Sequence, residues 1–423
     1  MLIEFSVTNF RSLAERQTLS LVASSGKEHL DTHVFEPKAP GTLPLLRAAV
    51  VYGANASGKS SLLMALSTMA QIVENSAGNH QADDPIDLSP FAFAADGQQT
   101  ATEFEVLFVE GGVRYQYGFA ATRARIESEW LFAFPEGKSQ RWFERNANTG
   151  PDEQPWYFGP KFSGPKKVWQ EATRDNALFL STAVQLNSES LKPIFQWFTT
   201  RLKIVEPYAR ISPGFSTKKC DEDVAWKSKI ITFLNKADLG ISQIQVERRA
   251  MDAIPFPADM PEQVRSYLNS QVTGRVLSDV KLSHRTEDGG EATFSLHDES
   301  GGTQKAFALA GPWLDVLENG YVLVIDELDT SLHPALMRHL LQMFHDPRVN
   351  TKGAQLIFST HDVTMLDFDL LRRDQIWFVE KDRKLRSHLY PLSDFSPRKG
   401  ENLERGYLVG RYGAMPFIGG PQL

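Results

Sequence analysis

The chain has 423 residues, 45 of them Lys or Arg and 52 Asp or Glu, for a net charge of −7. That balance excludes a protein that coats nucleic acid by bulk charge, and 42% hydrophobic with 23% charged residues excludes a disordered chain. No run of about 18 apolar residues occurs, and the start MLIEFSVTNFRSL is too polar for a signal peptide, so a cytoplasmic protein without membrane attachment is expected. A single cysteine, Cys220, excludes an internal disulfide and a thiolate metal cluster. Local basic groups (Arg123/Arg125, Lys166/Lys167, Arg248/Arg249, Arg372/Arg373 and KDRKLR at 381–386) read as solvated surface.

LIEFSVTNF alternates apolar and polar residues from Ile3 to Val7, the pattern of an edge or half-buried strand. LLRAAVVYG at 45–53 is a buried strand, and SSLLMALSTMAQIVENS a helix with Leu62, Leu63, Leu66, Met69 and Ala70 on one face. From Pro85 to Phe143, strand patterns with turn signals at Asp96-Gly97 and Gly111-Gly112 predict an antiparallel meander. Residues 144–175, rich in Pro, Gly and Asn, read as loop, and helical patterns follow to about 238. ISQIQVERRA, VLSDVKLSHRT and EATFSLHD look like strands. SGGTQKAFALAGPWLDVLENG is a helix, YVLVIDEL a buried strand, PALMRHLLQMFHD a helix, and AQLIFSTHD and DQIWFVEKD are strands. Strand–loop–helix at one end and helix–strand units at the other predict an α/β fold with a mostly parallel sheet built from both ends. The head is assigned to 1–75 and 291–423, and the insertion, a strand lobe followed by an α+β region, to 76–290.

Four short stretches carry the chemistry. Gly53, Gly58, Lys59 and Ser60 in GANASGKS fit G-x-x-x-x-G-K-[ST] between a strand and a helix. The glycines let successive N–H groups face a phosphate, Lys59 reaches the β- and γ-phosphates of ATP, and the Ser60 hydroxyl sits on Mg²⁺. The strand VLVI ends in Asp326-Glu327, placing one carboxylate to hold Mg²⁺ through water and the next to polarise an attacking water. His361 tips another buried strand, where an imidazole can hydrogen-bond a γ-phosphate. Ser300, Gly301 and Gly302 open a helix, a second anion-binding start. One nucleotide does not need both within one chain, so the economical arrangement has Ser300 capping a γ-phosphate held by another copy. Taken singly, strand-end acids and a strand-end histidine also serve as packing groups.

The order GANASGKS, ESGGTQK, VLVIDE, STHD resembles ABC-type ATPases of the SMC, RecF and OLD branch, and VTNFRSL that branch's first strand and turn. More narrowly, IESEWLF, NALFLSTAVQLN, DELDTSLHP, RRDQIWFVEKD and GYLVGRYGAMPFIG resemble prokaryotic ATPases of the RloA, AbiL and AriA kind, associated with phage defence. The resemblance implies Walker A roles for Lys59 and Ser60 with Asn55 and Ser61 in the loop, a Walker B role for Asp326, and Glu327 as catalytic base. It also implies signature roles for Ser300, Gly301 and Gly302, a switch role for His361, phosphate contact for Arg11, and Gln185 as the glutamine linked to Mg²⁺. The signature reads ESGG rather than LSGG, and His333 stands where SMC proteins carry an aspartate.

Asp367 and Asp369 in MLDFDLL mimic a metal-binding pair but read as helix-start residues. Too little chain follows His361 for a Toprim nuclease, so the effector, such as a Toprim or RloB-like nuclease, is expected on a separate protein. Trp130 and Trp377 read as core, while Arg411 and Gly413 belong to a tight loop near the nucleotide or a dimer seam. The expected function is an ATP-driven homodimer or oligomer switch that controls that effector. A RecF-like clamp on DNA and an ATP-bound scaffold with little turnover are the alternatives.

Overall fold

The computed structural model describes all residues except 80, 95, 96, 98, 151–153, 206–210, 251–259, 265, 267–275, 331, 399 and 416–423. The chain falls into two compact units, one of Met1–Ala209, Val316–Thr330 and Met337–Leu423, the other of Arg210–Asp315 and Ser331–Leu336. Asp96 of one expected turn, the stretch 207–210 and the closing residues 416–419 of the last motif lie outside the described residues.

The first unit contains β1 (Leu2–Thr8), β2 (Gln17–Ser20), β3 (Ala48–Tyr52), β4 (Thr102–Glu110), β5 (Val113–Ala121), β6 (Ile126–Phe134), β7 (Gln140–Asn146), β8 (Trp156–Phe158) and β9 (Leu202–Val205). The second unit holds β10 (Ile241–Ala250), β11 (Val276–Arg285) and β12 (Glu291–Ser295), an antiparallel three-stranded sheet. The first unit resumes with β13 (Val322–Ile325), β14 (Gln355–Ser359), β15 (Ile376–Lys381) and β16 (Ser387–Pro391). Its six-stranded sheet runs β9-β13-β14-β3-β15-β16, parallel except for β16. Its seven-stranded sheet, β8-β7-β6-β5-β4-β1-β2, is antiparallel throughout. The fold is mixed α/β, with the mostly parallel sheet and the meander that the patterns predict.

Every residue of β3, β13 and β14 is buried, which is why these strands read as unbroken apolar runs. Helix α1 (Lys59–Asn75) buries Leu62, Leu63, Leu66, Met69 and Val73 in one core with Phe5 and Val7 of β1 and Phe104 and Val106 of β4. Each such side chain contributes about 1.5–3 kcal/mol on leaving water.

Four expectations need correction. β1 is no edge: it pairs with β2 on one side and β4 on the other, because the meander extends the sheet it begins. The loop-like stretch after Phe143 contains β8, paired through Phe158 with Phe143 and held by the rings of Trp156 and Phe158 against Phe179. The helical stretch hides β9, four residues that add to the edge of the parallel sheet beside β13. Trp377 is in the core at 7% exposure, but Trp130 is only half-buried. Its ring covers Gly118, its cross-strand partner, and its Nε1 donates to Glu105 (2.9 Å).

The residue beside Trp130 faces inward instead. Glu129 is fully buried and accepts from Phe179 N (2.7 Å) and Leu180 N (3.0 Å) at the start of α2 (Phe179–Gln185), and from the Tyr117 hydroxyl (3.1 Å). Burial pushes its carboxyl above the ordinary range, against the pull of Arg145 at 3.9 Å and these donors. IESEWLF and NALFLSTAVQLN thus meet at one carboxylate. Glu129→Gln, which points an N–H₂ at these donors, is expected to cost about 2 kcal/mol, read as a lower urea midpoint.

A second buried polar group titrates. The His33 ring stacks on His345 with centroids 3.6 Å apart. His33 Nε2 lies 3.0 Å from the Leu370 carbonyl and therefore carries the proton, while His345 Nε2 accepts from the Gln375 amide at 3.1 Å. Burial lowers His33 to about 4 and puts His345 well below its usual value. The unfolded imidazoles bind protons from about pH 6.5 and the folded ones only further down, so stability complete above that pH is lost as pH falls toward 4. The thermal midpoint is expected to fall across this window, and to fall less in His345→Gln.

Candidate functional site

At the end of β3 the chain turns through Gly53–Gly58 into α1. Gly58 has φ 117, and a Cβ there would run into the Ser387 hydroxyl; a Cβ on Gly53 would run into the Val379 carbonyl. Both glycines are required by the approach of β15 and β16. Ser387 Oγ donates to Ser57 O (2.5 Å), and Ser387 N donates to Ser12 O (2.7 Å). Ser12 Oγ in turn donates to Ser61 Oγ (3.2 Å).

Lys59, 5% exposed, donates from Nζ to the carbonyls of Gly53 (2.9 Å) and Ala54 (3.1 Å). Burial pulls its pKa down, while Asp326, Glu327 and Asp329 pull it back up. These acids follow β13. Ser359, buried at the end of β14, sets two of them with one hydroxyl: it donates to Asp326 Oδ1 (2.5 Å) and accepts from Glu327 N (2.8 Å). Glu327 has φ 50, a left-handed backbone that L-residues seldom adopt. His361 Nε2 lies 3.9 Å from Glu327 Oε1, and His361 N donates to Asp329 Oδ2 (3.3 Å).

The loop, Glu327 and His361 line one cavity of 520 Å³. Asn55, Gly58, Lys59, Ser60 and Ser61 are on its wall, joined by Arg11, Ser12 and Lys381. Arg11 has φ 51, its N donates to Ser89 O (2.6 Å), and its guanidinium reaches Met64 Sδ (2.8 Å). Gly53 and Asp326 stand behind the wall, through their bonds to Lys59 and Ser359. Gln185 is exposed at the end of α2 and is not among the residues that line the cavity. Ser12 and Ser359 are residues that motif reading missed, and Lys381, read within KDRKLR as solvated surface, lines the cavity instead. Ser359 lies inside AQLIFSTHD, and the signal for it was a hydroxyl at the tip of a buried strand next to the acidic one.

In the second unit, Ser300 is exposed and caps α3 (Gly301–Asn319). Its Oγ accepts from Thr303 N (3.1 Å) and lies 2.9 Å from Thr303 Oγ1. A Cβ on Gly301 would meet nothing within 4 Å, so the helix start is open. His333 Nδ1 accepts from Ala335 N (3.2 Å), capping α4 (Pro334–His345).

Two other motifs find plain roles. Asp367 lies in a turn, not a helix start: it pairs with Arg338 at 3.2 Å and accepts from Asp369 N at 2.9 Å. Among the described residues no group of acids, histidines or cysteines could hold a metal ion by itself. The closing motif packs Tyr407 and Tyr412 on Phe378 of β15, while Arg411 pairs with Glu401. No helix among the described residues is long and apolar enough to cross a membrane.

A strand, a glycine loop and a helix start around a basic cavity, with acids at the end of β13 one strand removed from β3, define the class as a P-loop nucleotide-binding domain. Residues 48–367 match the family described as "AAA domain, putative AbiEii toxin, Type IV TA system", and the chain belongs to that family. Among solved structures, the SMC head domain from Thermotoga maritima is similar over 92% of this chain and 98% of its own, at 13% identity and a TM-score of 0.40. The SmcHead bound to the C-winged helix domain of ScpA is similar over 92% and 97%, at 13% identity and a TM-score of 0.37. No curated protein matches the chain.

The close approach at the loop is testable by stability alone. Gly58→Ala is expected to cost about 2 kcal/mol, read as a lower urea midpoint, because both its φ and Ser387 oppose a Cβ. Gly78→Ala, where a Cβ meets nothing within 4 Å, leaves the midpoint unchanged.

Proposed function

We propose that the chain binds and hydrolyses ATP and works as a nucleotide-driven dimer or oligomer switch controlling a separate effector in anti-phage defence. One observation carries the enzymatic part: Lys59, Ser60, Glu327 and His361 line a single cavity. In this reading the N–H groups of the loop and the Lys59 ammonium hold the β- and γ-phosphates, with Asn55, Ser61 and Arg11 beside them. Glu327 takes the proton of the attacking water, and His361 hydrogen-bonds the γ-phosphate and registers its loss.

Mg²⁺ fits the oxygens present. The Ser60 hydroxyl and Asp326 Oδ2 have no hydrogen-bond partner among the described residues, and a hydroxyl, a carboxylate and water form a donor set that suits this ion. When bound, the ion neutralises phosphate charge. Gln185 has no part in this reading.

The switch rests on the open start of α3. Ser300, Gly301 and Gly302 of a second copy would cap the γ-phosphate held by Lys59, so only the triphosphate joins the two copies. Opening after hydrolysis then releases or activates the effector, of which a Toprim or RloB-like nuclease is the kind expected.

Glu327→Gln is expected to keep ATP, lose about 100-fold or more in turnover and remain assembled, while Lys59→Ala loses binding. Phosphate release and light scattering with and without ATP measure this. Turnover equal to the parent's removes Glu327 as base, and a mass indifferent to ATP removes the switch. ATP-dependent, salt-sensitive capture of duplex DNA would instead favour a clamp.

A further inference from the structure

Lys381 is the last residue of β15 and lines the same cavity as Lys59, Ser60 and His361. Its place is set by sheet register. β15 runs parallel to β3 with Phe378 beside Tyr52, so the strand continues past the point where β3 gives way to the phosphate loop. The Val379 carbonyl packs on Gly53, and Ser387, the partner of Lys381 across the β15–β16 hairpin, is bonded to Ser57 O. The strand that carries Lys381 is therefore fastened to the loop on both sides of the hairpin.

The turn that follows is equally fixed. Asp382 accepts from Lys384 N (2.8 Å), Arg386 N (2.9 Å) and Arg386 Nε (2.8 Å). Arg386 is also paired with Glu15 at 2.5 Å, so that cation is already committed. The Lys381 ammonium has neither a hydrogen bond nor an ion pair among the described residues. Arg11, Lys59 and Lys381 face the cavity against one lining carboxylate, Glu327, an excess of positive charge that suits a polyanion.

We propose that Lys381 is a phosphate-binding residue, whose ammonium contacts the phosphate chain of a nucleoside triphosphate bound by the loop. The contact deepens the nucleotide reading given above and rests on it. A rigid hairpin holding an unpaired cation over the cavity loses little freedom when the anion arrives. The Lys381 backbone is held by strand pairing, whereas Lys59 is drawn onto loop carbonyls, so the two cations approach the phosphates from different elements.

The test is calorimetric titration of the full chain with the magnesium complex of AMPPNP. Lys381→Gln is expected to raise the Kd about tenfold and to flatten its dependence on salt, while Lys381→Arg stays within about threefold of the parent. The thermal midpoint without nucleotide should be the same in all three proteins. An unchanged Kd in Lys381→Gln, or equal losses in both variants accompanied by a lowered midpoint, overturns the proposal. If the parent binds AMPPNP and Lys381→Gln binds it equally well, this inference alone fails. If the parent takes none, the nucleotide reading fails as well.

Discussion

The phosphate loop keeps its shape because a carbonyl and two serine side chains from other segments press against its glycines. Val379 closes on Gly53, and Ser387 and Ser12 close on Gly58. The hydroxyl of Ser387 then bonds Ser57 O, and its N–H bonds Ser12 O. Segments near residues 12, 57 and 387 are thereby fastened into one wall. Without a Cβ at either glycine the Val379 carbonyl and the side chains of Ser387 and Ser12 can close on the loop. The glycines serve contact between strands as much as the torsion of the turn.

The same helix that begins at this wall ends at the meander. α1 has 17 residues, about 25 Å, and its last turns are held by the stretch leading into α2. Val73 O accepts from Ser181 Oγ (2.6 Å), Ser76 Oγ from Leu178 N (3.2 Å), and Ser76 O from Arg174 (3.0 Å). Glu129 fixes the other side of that junction by capping α2. The meander is thus braced against the cavity through one close-packed helix, and the buried carboxylate satisfies the first amides of α2, which has no other side-chain cap.

How much of this was legible follows from the range of each interaction. β3, β13 and β14 could be read because a strand covered on both faces is apolar at every position, and the loop because its glycines, lysine and serine are adjacent in sequence. Ser12 and Lys381 could not, since their place depends on a contact between residues 330 positions apart. β9 is too short to carry a period. At Glu129 and Trp130 alternation misled: the larger apolar residue takes the outer face because three donors wait for a carboxylate inside, and a shift of one residue exchanges the faces. The left-handed backbone of Glu327 leaves no trace in composition, and the position of Gln185 depends on where α2 stops, which no motif states.

That left-handed residue is where the two parts of the cavity are reconciled. Holding a non-glycine residue at φ 50 costs of order 1–3 kcal/mol and persists only where its surroundings over-determine it. They do so here: Glu327 N is bound by Ser359 Oγ, and Leu328 N by Ser359 O (3.1 Å). Beyond them, Asp329 holds the His361 amide. Relaxing Glu327 to an ordinary strand conformation would break the bonds that place Asp326 and turn the Glu327 carboxylate away from His361. The strain accompanies a turn out of the strand that leaves the Asp326 carboxylate on Ser359 behind the wall while the next residue, Glu327, lines the cavity.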